Sequence, residues 1–382
     1  MKTIRKLIIF TFIITLFIAN IPKKAEASFG VSAASAVLIE QKSGRVLYEK
    51  EAYTKRRIAS ITKIMTAILA IESGKMDQTV TVSENAARTE GSSVYLKPGQ
   101  KIKLEDLVYG LMLRSGNDTA VAIAEYVGGS VEGFAYLMNQ KAKEIGMLNT
   151  HFANPHGLDD HENHYSTAYD MAILTRYAMQ NKTYQKIAGT KVHRAPNPNE
   201  DWDYVWKNKN RLLTKYKYAT GGKTGFTKRA KRTLVTTASK GDMDLIAVTL
   251  NAPDDWNDHI SMYDYGFKNY DMAEVIEKGN LDIVKNKYYK KNQLYIKKEI
   301  LYPVTSKEMG LFTVKYKLNK PEKKWIQSKK TEHVAGRAIV FLDDRAVEET
   351  PIFYQNTPVK KKGFIDFMKD IFLSIMGVKL NG

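Results

Sequence analysis

Three short motifs in the sequence contain the side chains that acyl transfer needs, namely hydroxyls, amines and a carboxamide. In chain order they are Ser-x-x-Lys at 60–63, Ser-Gly-Asn at 115–117 and Lys-Thr-Gly at 223–225. Each motif is short enough to occur by chance. The first lies at the start of a predicted helix, the second in a break between two predicted helices, and the third at the head of a predicted strand. This shared placement at the ends of elements indicates one composite site.

Ser60 is the predicted nucleophile of this site. At a helix start, the macrodipole and the unpaired backbone N–H groups favour negative charge developing near its oxygen. Lys63 follows at i+3, so its amine can reach the Ser60 hydroxyl. An exposed lysine is protonated at neutral pH and is a poor base. Burial and a second cation, predicted to be Lys223, would lower the Lys63 pKa and make it the base.

The other two motifs supply groups for proton transfer and substrate binding. Ser115 can relay a proton, and Asn117 has both a donor and an acceptor with which to hold a substrate amide. Lys223 and Thr224 suit a substrate carboxylate. The sequence therefore predicts a substrate that carries an amide and a free carboxylate.

The strand after Lys223 is predicted to bring backbone groups to the nucleophile. Gly225 has no Cβ, so this strand can approach closely. The backbone N–H groups of Phe226 and Ser60 are then predicted to form an oxyanion hole, in which one donor is worth about 10²–10³ in rate.

The pattern along the chain predicts an α+β architecture. Residues 36–49 and 233–250 read as β-hairpins, and the Lys-Thr-Gly segment lies beside the second one. Between them, helical periodicity begins at Ile61 and recurs from Leu104 to about residue 187. Asp118 is the predicted N-cap of the helix after the Ser-Gly-Asn break. The simplest topology that accounts for strands on both sides of a helical region is one five-stranded antiparallel sheet flanked by helices, with an inserted, mostly helical region.

Composition excludes several classes of protein. The chain has 382 residues, enough for two domains, and no cysteine, which excludes a disulfide scaffold, thiol catalysis and Cys-ligated metals. Its formal net charge of +18 favours an anionic partner.

The N-terminus predicts export. Basic residues precede the apolar run Leu7–Ala19, and Ala25–Ala27 has the small-x-small pattern of a signal cleavage site. The apolar run is shorter than the ~20 residues of a membrane span. Residues 1–27 are therefore predicted to be a signal peptide. Since exported proteins rarely meet nucleic acid, we predict no nucleic-acid partner.

The C-terminal third predicts two further parts. Residues 271–357 are Lys-rich with short strand-like runs and read as a small all-β domain. Residues 358–382 begin with three lysines and continue as an amphipathic helix, suited to lying on the outer face of a membrane. The alternative for this helix is docking on the protein core.

The motifs and their surroundings resemble D-alanyl-D-alanine carboxypeptidases, the low-molecular-mass penicillin-binding proteins of the Ser-x-x-Lys acyltransferases. The similar segments are Arg57–Thr66, Leu113–Asp118, Asn154–Leu158 and His164–Ala172. The likeness is strong over about residues 30–270 and is nearest to DacB-type, sporulation-associated enzymes.

The resemblance implies a fold and an activity. The fold is that of serine β-lactamases and DD-peptidases, with a catalytic domain at 28–270. The activity is removal of the terminal D-alanine from peptidoglycan stem pentapeptides, which limits cross-linking. Penicillins would be covalent inhibitors, the C-terminal helix would be a membrane anchor, and no cofactor or metal would be required.

The resemblance also implies roles for the residues of the three motifs. It implies a Ser60 nucleophile, a Lys63 base, proton relay and substrate binding by Ser115 and Asn117, and carboxylate recognition by Lys223 and Thr224. An arginine that helps to hold the carboxylate in some relatives has no clear counterpart near residues 254–256. Arg232 is predicted to compensate, since guanidinium–carboxylate pairing is strong. The alternative for Arg232 is a solvated surface side chain.

Three other functions remain open at this point. A β-lactamase would need a deacylating base, for which Glu162 is the candidate. A penicillin-binding sensor would be acylated without releasing D-alanine. A zinc peptidase would use the histidines at 151, 156, 161 and 164, but they lack ligand spacing and lie in a predicted loop.

Overall fold

The computed structural model describes residues 29–281, 288–289, 293–322, 325 and 332–354. The predicted signal peptide and C-terminal helix lie outside these residues. Within the described part of the chain, every helix is too short or too polar to cross a membrane.

The strands are β1 Ser35–Glu40, β2 Val46–Lys50, β3 Thr79–Thr81, β4 Lys101–Lys103, β5 Val192–Ala195, β6 Tyr204–Lys207, β7 Ala219–Thr227, β8 Lys231–Lys240, β9 Met243–Leu250, β10 Asp271–Ile276, β11 Gly279–Asn280, β12 Leu294–Ile296, β13 Ile300–Val304, β14 Phe312–Leu318, β15 His333–Leu342 and β16 Arg345–Tyr354.

The α-helices are α1 Lys63–Glu72, α2 Glu84–Ala87, α3 Leu104–Tyr109, α4 Asn117–Gly128, α5 Val131–Glu144, α6 Ala168–Ala178, α7 Lys182–Gly189, α8 Leu212–Lys215 and α9 Asp255–Asn269. A 3₁₀ turn at Ala59–Thr62 precedes α1, and a π-helix at Gly110–Arg114 follows α3.

The central sheet joins strands from both ends of the first 270 residues. Its order is β2-β1-β9-β8-β7, and every neighbouring pair is antiparallel. All six residues of β1 are buried, as expected for a strand with a neighbour on each side and helices on both faces. The predicted five-stranded antiparallel sheet is therefore present.

Two apolar cores cover the two faces of this sheet. Side chains alternate along β1, so Val37 and Ile39 face one core while Leu38 faces the other. The first core contains α1 and the inserted helices, and the second contains Met262 and Tyr263 of α9. The first core holds α1 in place, and the 3₁₀ turn that precedes α1 contacts β7 and β8, at the edge where the candidate site lies.

Residues 271–354 contain strands, as the sequence predicted. One antiparallel sheet has the order β11-β12-β16-β15-β14, and β10 pairs with β13. Arg45 of the first hairpin connects to this part: its guanidinium donates to the carbonyl of Pro303 at 2.6 Å and pairs with Glu308 at 2.5 Å. It also lies 5.4 Å from the ring centres of Tyr270 and Tyr302.

Candidate active site

Ser60 lies in the 3₁₀ turn that leads into α1, two residues before Thr62, the N-cap of this helix. Its neighbour Ala59 has φ +49°, which is uncommon for a residue other than glycine and is typical of functional sites. Gly157 packs against this turn, and a Cβ there would lie 1.9 Å from the carbonyl oxygen of Ala59. The turn around Ser60 is thus fixed by a close backbone contact.

Lys63 lies one helical turn from Ser60 and is completely buried. Its Nζ is 3.2 Å from Ser60 Oγ, 2.7 Å from Asn117 Oδ1 and 2.7 Å from the carbonyl oxygen of His156. Burial, followed by the charges of Lys223 and Lys209, lowers the pKa of Lys63 well below its ordinary value.

The partners of Lys63 determine where its lone pair lies. The oxygens of Asn117 and His156 are acceptors only. A neutral amine has two N–H groups, which these two oxygens occupy. The lone pair is then left for the hydroxyl proton of Ser60, which is the arrangement that a general base requires.

Ser115 and Lys223 form a second hydroxyl–amine pair. The π-helix ends at Ser115, which has φ +64°, and π-helical turns are frequent at functional sites. Lys223 Nζ donates to Ser115 Oγ at 3.0 Å and to the carbonyl of Thr224 at 2.7 Å. Burial, with a smaller effect of Lys209, lowers the pKa of Lys223 to about 7. This amine can therefore exchange protons near neutral pH.

Both the oxygen and the nitrogen of the Asn117 carboxamide are hydrogen-bonded within the protein. Its oxygen accepts from Lys63, and its Nδ2 donates to the carbonyl of Glu90 at 2.6 Å. Its backbone N–H donates to the carbonyl of Ser92, also at 2.6 Å. In this structure Asn117 holds the amine of Lys63, and its predicted contact with a substrate amide stays a prediction.

Strand β7 forms one wall of a cleft of about 540 Å³, within the usual range for ligand sites. Ser60, Ser115, Thr224, Gly225 and Phe226 all line this cleft. A Cβ on Gly225 would lie 3.0 Å from the backbone nitrogen of Ser60, so the predicted close approach is present.

Arg232 also lines the cleft, on β8 directly opposite Phe226 of β7. Its guanidinium pairs with Asp255 and lies 5.9 Å from the ring centre of Trp256. Its Nε is buried and has no hydrogen-bond partner among the described residues. Arg232 therefore lies where a carboxylate in the cleft could reach it.

Glu162 is held at the surface and is not part of the cleft lining. Arg229 binds both of its carboxylate oxygens at 2.6 and 2.8 Å, and Arg57 binds one at 2.7 Å. Hydrogen bonding from Arg229 is the main cause of its lowered pKa. A carboxylate engaged in this way is not placed to deacylate Ser60.

The histidines of the loop before α6 play structural roles around the site. His156 supplies its carbonyl to Lys63, and the His164 ring lies 2.8 Å from Thr62 Oγ1 and accepts from the N–H of Ala153. Burial is the main cause that lowers the pKa of both histidines to about 3. Across the described ranges, the metal-ligating side chains do not gather in groups of three or more.

Sequence reasoning assigned the wrong role to one residue near the site and missed another. Asp118 is not an N-cap: Gly116 occupies that position, and the buried Asp118 carboxylate accepts hydrogen bonds from segment 93–96. Lys209 lines the cleft and donates to Ser92 Oγ at 3.3 Å. Lys209 belongs to none of the three motifs, so no local pattern identified it.

Comparison with known proteins gives consistent matches. A family model described as D-alanyl-D-alanine carboxypeptidase (peptidase S11) matches residues 21–254. The chain is 36% identical to D-alanyl-D-alanine carboxypeptidase DacF of Bacillus subtilis strain 168, over 91% of this chain and 90% of that protein. It is 31% identical to DacC of Escherichia coli strain K12, over 96% and 93%. Penicillin binding protein 5 of Haemophilus influenzae has a similar crystal structure, with a TM-score of 0.70 and 27% identity over 86% of this chain and 97% of that chain.

Proposed function

The chain belongs to the D-alanyl-D-alanine carboxypeptidase family of serine peptidases, and on that premise we propose that Ser60 is the nucleophile that removes the terminal D-alanine from peptidoglycan stem pentapeptides. The observation that carries this proposal is the 3.2 Å contact between Ser60 Oγ and the buried amine of Lys63. The other two contacts of this amine leave its lone pair for the serine proton.

Acylation follows from these contacts. Lys63 takes the hydroxyl proton as Ser60 Oγ bonds to the carbonyl carbon of the penultimate residue. The backbone N–H groups of Ser60 and Phe226 stabilise the oxyanion. When the intermediate collapses, the C–N bond breaks, and Ser115 protonates the amine of the leaving D-alanine while it takes up the proton that Lys63 removed from Ser60; Lys223 holds the Ser115 hydroxyl in place. Lys63, neutral again, then takes a proton from water, whose oxygen bonds to the acyl carbon. The ester C–O bond breaks as Lys63 gives this proton to Ser60 Oγ.

Replacing Ser60 with alanine tests this proposal directly. We expect wild type to release D-alanine from a soluble pentapeptide and to gain the mass of one benzylpenicillin, located on Ser60 by peptide mapping. Ser60→Ala is expected to show neither, because the acyl acceptor is gone. Ser73→Ala, at the far end of α1, is the control and is expected to behave as wild type.

The same assays separate the rival functions. Rapid release of hydrolysed penicillin, without D-alanine release, would indicate a β-lactamase. A stable adduct without D-alanine release would indicate a sensor. An adduct at another residue would contradict the assignment of Ser60. The engaged position of Glu162 is the observation that disfavours the β-lactamase.

Arg232 is proposed to bind the substrate carboxylate together with Lys223 and Thr224. Arg232→Ala is expected to raise KM for the pentapeptide about tenfold, since a charge-assisted contact is worth about 1.5–3 kcal/mol. Steady-state kinetics with a substrate amidated at its C-terminus should show little difference between Arg232→Ala and wild type. Arg229→Ala, three residues away and paired with Glu162, is the control. An unchanged KM in Arg232→Ala would contradict this role.

The remaining proposals concern where the enzyme works and follow from sequence. Residues 1–27 are proposed to direct export, and residues 28–270 to form the catalytic domain. Residues 271–357 are proposed to form a separate β-rich domain, and residues 358–382 to bind the outer face of the membrane. A cationic, amphipathic C-terminal segment supports the last of these. The sporulation setting that the resemblance implies stays a prediction.

A further inference from the structure

Two large aromatic side chains are exposed on segments that lead to the cleft, and the mechanism above does not use them. Tyr95 is 82% exposed and Trp202 is 67% exposed. Tyr95 follows the cleft residue Ser92, and Trp202 lies in the turn of the β5–β6 hairpin, which continues into the cleft residue Lys209. Tyr95 is thus three positions from a cleft residue, and Trp202 lies at the far end of β6, seven positions before Lys209.

The protein holds Tyr95 outward through the buried carboxylate of Asp118. This carboxylate accepts the N–H groups of Val94 and Leu96 and the hydroxyl of Ser93. Val94 and Leu96 are buried, whereas Tyr95 between them has φ +66° and projects to solvent. A left-handed conformation costs a tyrosine about 1–2 kcal/mol. The anchored loop supports this strain and fixes the backbone position of the exposed residue.

The two aromatic segments are joined to each other and to the site. Tyr95 lies three positions after Ser92, so their Cα atoms are within about 10 Å. Lys97 pairs with Glu200 at 2.9 Å, which ties the hairpin turn that carries Trp202 to the segment that carries Tyr95. The two segments, 92–97 and 200–209, are thus joined by this ion pair, and the surface that they form is called the rim below.

The surroundings of the rings suit a carbohydrate better than an apolar partner. Charged side chains, Lys97 and Glu200, lie within two residues of Tyr95 and Trp202, so the rim is not a continuous apolar patch. An aromatic ring offers a flat face to the C–H groups of a sugar, while neighbouring polar groups bind its hydroxyl and amide groups.

From these observations we propose that Tyr95 and Trp202 bind the glycan chain to which the stem peptide is attached. This inference rests on the proposed function, because only a peptidoglycan substrate brings a polymer of N-acetylated sugars to the cleft. The rim would guide the polymer so that its peptides enter the cleft in turn. The enzyme would then prefer polymeric peptidoglycan to a free pentapeptide.

A comparison of two substrates tests this proposal in the full-length protein. We expect the ratio of kcat/KM for pentapeptides on uncleaved glycan chains to kcat/KM for the free pentapeptide to fall about tenfold in the double variant Tyr95→Asn, Trp202→Ala. Asparagine is chosen because it tolerates the left-handed conformation. The matched control is Tyr136→Ala, which removes a tyrosine that is 64% exposed on α5.

Direct binding completes the test. Glycan chains stripped of their stem peptides are expected to bind wild type and Tyr136→Ala, and to bind the double variant at least fivefold more weakly. Equal binding, or an unchanged substrate ratio, would overturn the glycan proposal. Loss of binding to anionic phospholipid vesicles instead of glycan would overturn it in favour of a membrane contact. Absence of D-alanine release from the free pentapeptide by wild type would contradict the proposed function itself.

Discussion

Replacing Lys63 with methionine is expected to slow acylation by benzylpenicillin about 10³-fold. Methionine matches the length of the lysine stem but cannot accept the Ser60 proton, and a positioned general base contributes about 10²–10⁴ in rate. Acylation is measured from the time course of the covalent adduct by mass spectrometry. Lys182→Met, an exposed substitution at the start of α7, is the control and is expected to acylate at the wild-type rate. Acylation of Lys63→Met within tenfold of wild type would show that another group takes the proton.

The same variant has an expected effect on stability that a purely structural lysine would not give. The native pKa of Lys63 is far below its value in the unfolded chain, so over that interval the unfolded chain binds one more proton than the native protein. The free energy of unfolding of wild type therefore rises with pH, by about 1.4 kcal/mol per pH unit for this group, and falls as the medium becomes more acidic.

Lys223 adds a second contribution of the same sign between its native pKa of about 7 and the ordinary value of 10.5. Lys63→Met removes one of these two contributions to the pH dependence of stability. Urea denaturation at pH 7.5, 8.5 and 9.5 is expected to show a shallower slope in this variant and higher stability near pH 7.5. A slope equal to that of wild type would mean that Lys63 is charged in the native protein.

The rate of acylation should depend on pH, because Lys63 can act as a base only in its unprotonated form. The rate is expected to decrease as the pH falls through the native pKa of Lys63, because protonation of the amine occupies the lone pair that accepts the Ser60 proton.

The sequence predicted the features that depend on local patterns. Short apolar runs interrupted by turn residues in 36–49 and 233–250 predict the two hairpins. The simplest compact arrangement then pairs strands from both ends of this region in one sheet. Ser60 and Lys63 could be paired because i+3 neighbours share a helical face. The structure contains both hairpins and brings Ser60 and Lys63 together as expected. It differs in that Ser60 lies in a 3₁₀ turn rather than at an α-helical N-cap.

The contacts that tune the site could not be predicted from such patterns. The carbonyl that binds Lys63 belongs to His156, 93 residues away, and it is presented by a loop without periodicity. Asp118 looked like an N-cap because its residue type favours that position. It organises a different segment instead, since its carboxylate is buried against the N–H groups of Val94 and Leu96. Such long-range pairings depend on the whole fold.

Gly157→Ala is expected to impair both stability and acylation, although residue 157 has no side chain to lose. Its φ of +87° favours glycine, and a Cβ would lie 1.9 Å from the carbonyl oxygen of Ala59, the residue before the nucleophile. The loop and the 3₁₀ turn must separate, which also displaces the His156 carbonyl from Lys63 Nζ. A shift of about 1 Å at a reacting group can reduce the rate about 10²-fold.

Gly146→Ala isolates the effect of this contact. Gly146 has nearly the same conformation, φ +89°, but nothing lies within 4 Å of its Cβ position. Gly146→Ala is therefore expected to show only the cost of a left-handed alanine, about 1–2 kcal/mol, with normal acylation. Gly157→Ala is expected to lose more stability, measured as the urea midpoint, and about 100-fold in the benzylpenicillin acylation rate. If the two variants acylate at equal rates, the contact between Gly157 and Ala59 does not position Ser60, and the geometry of the nucleophile must be fixed by α1 and β7 alone.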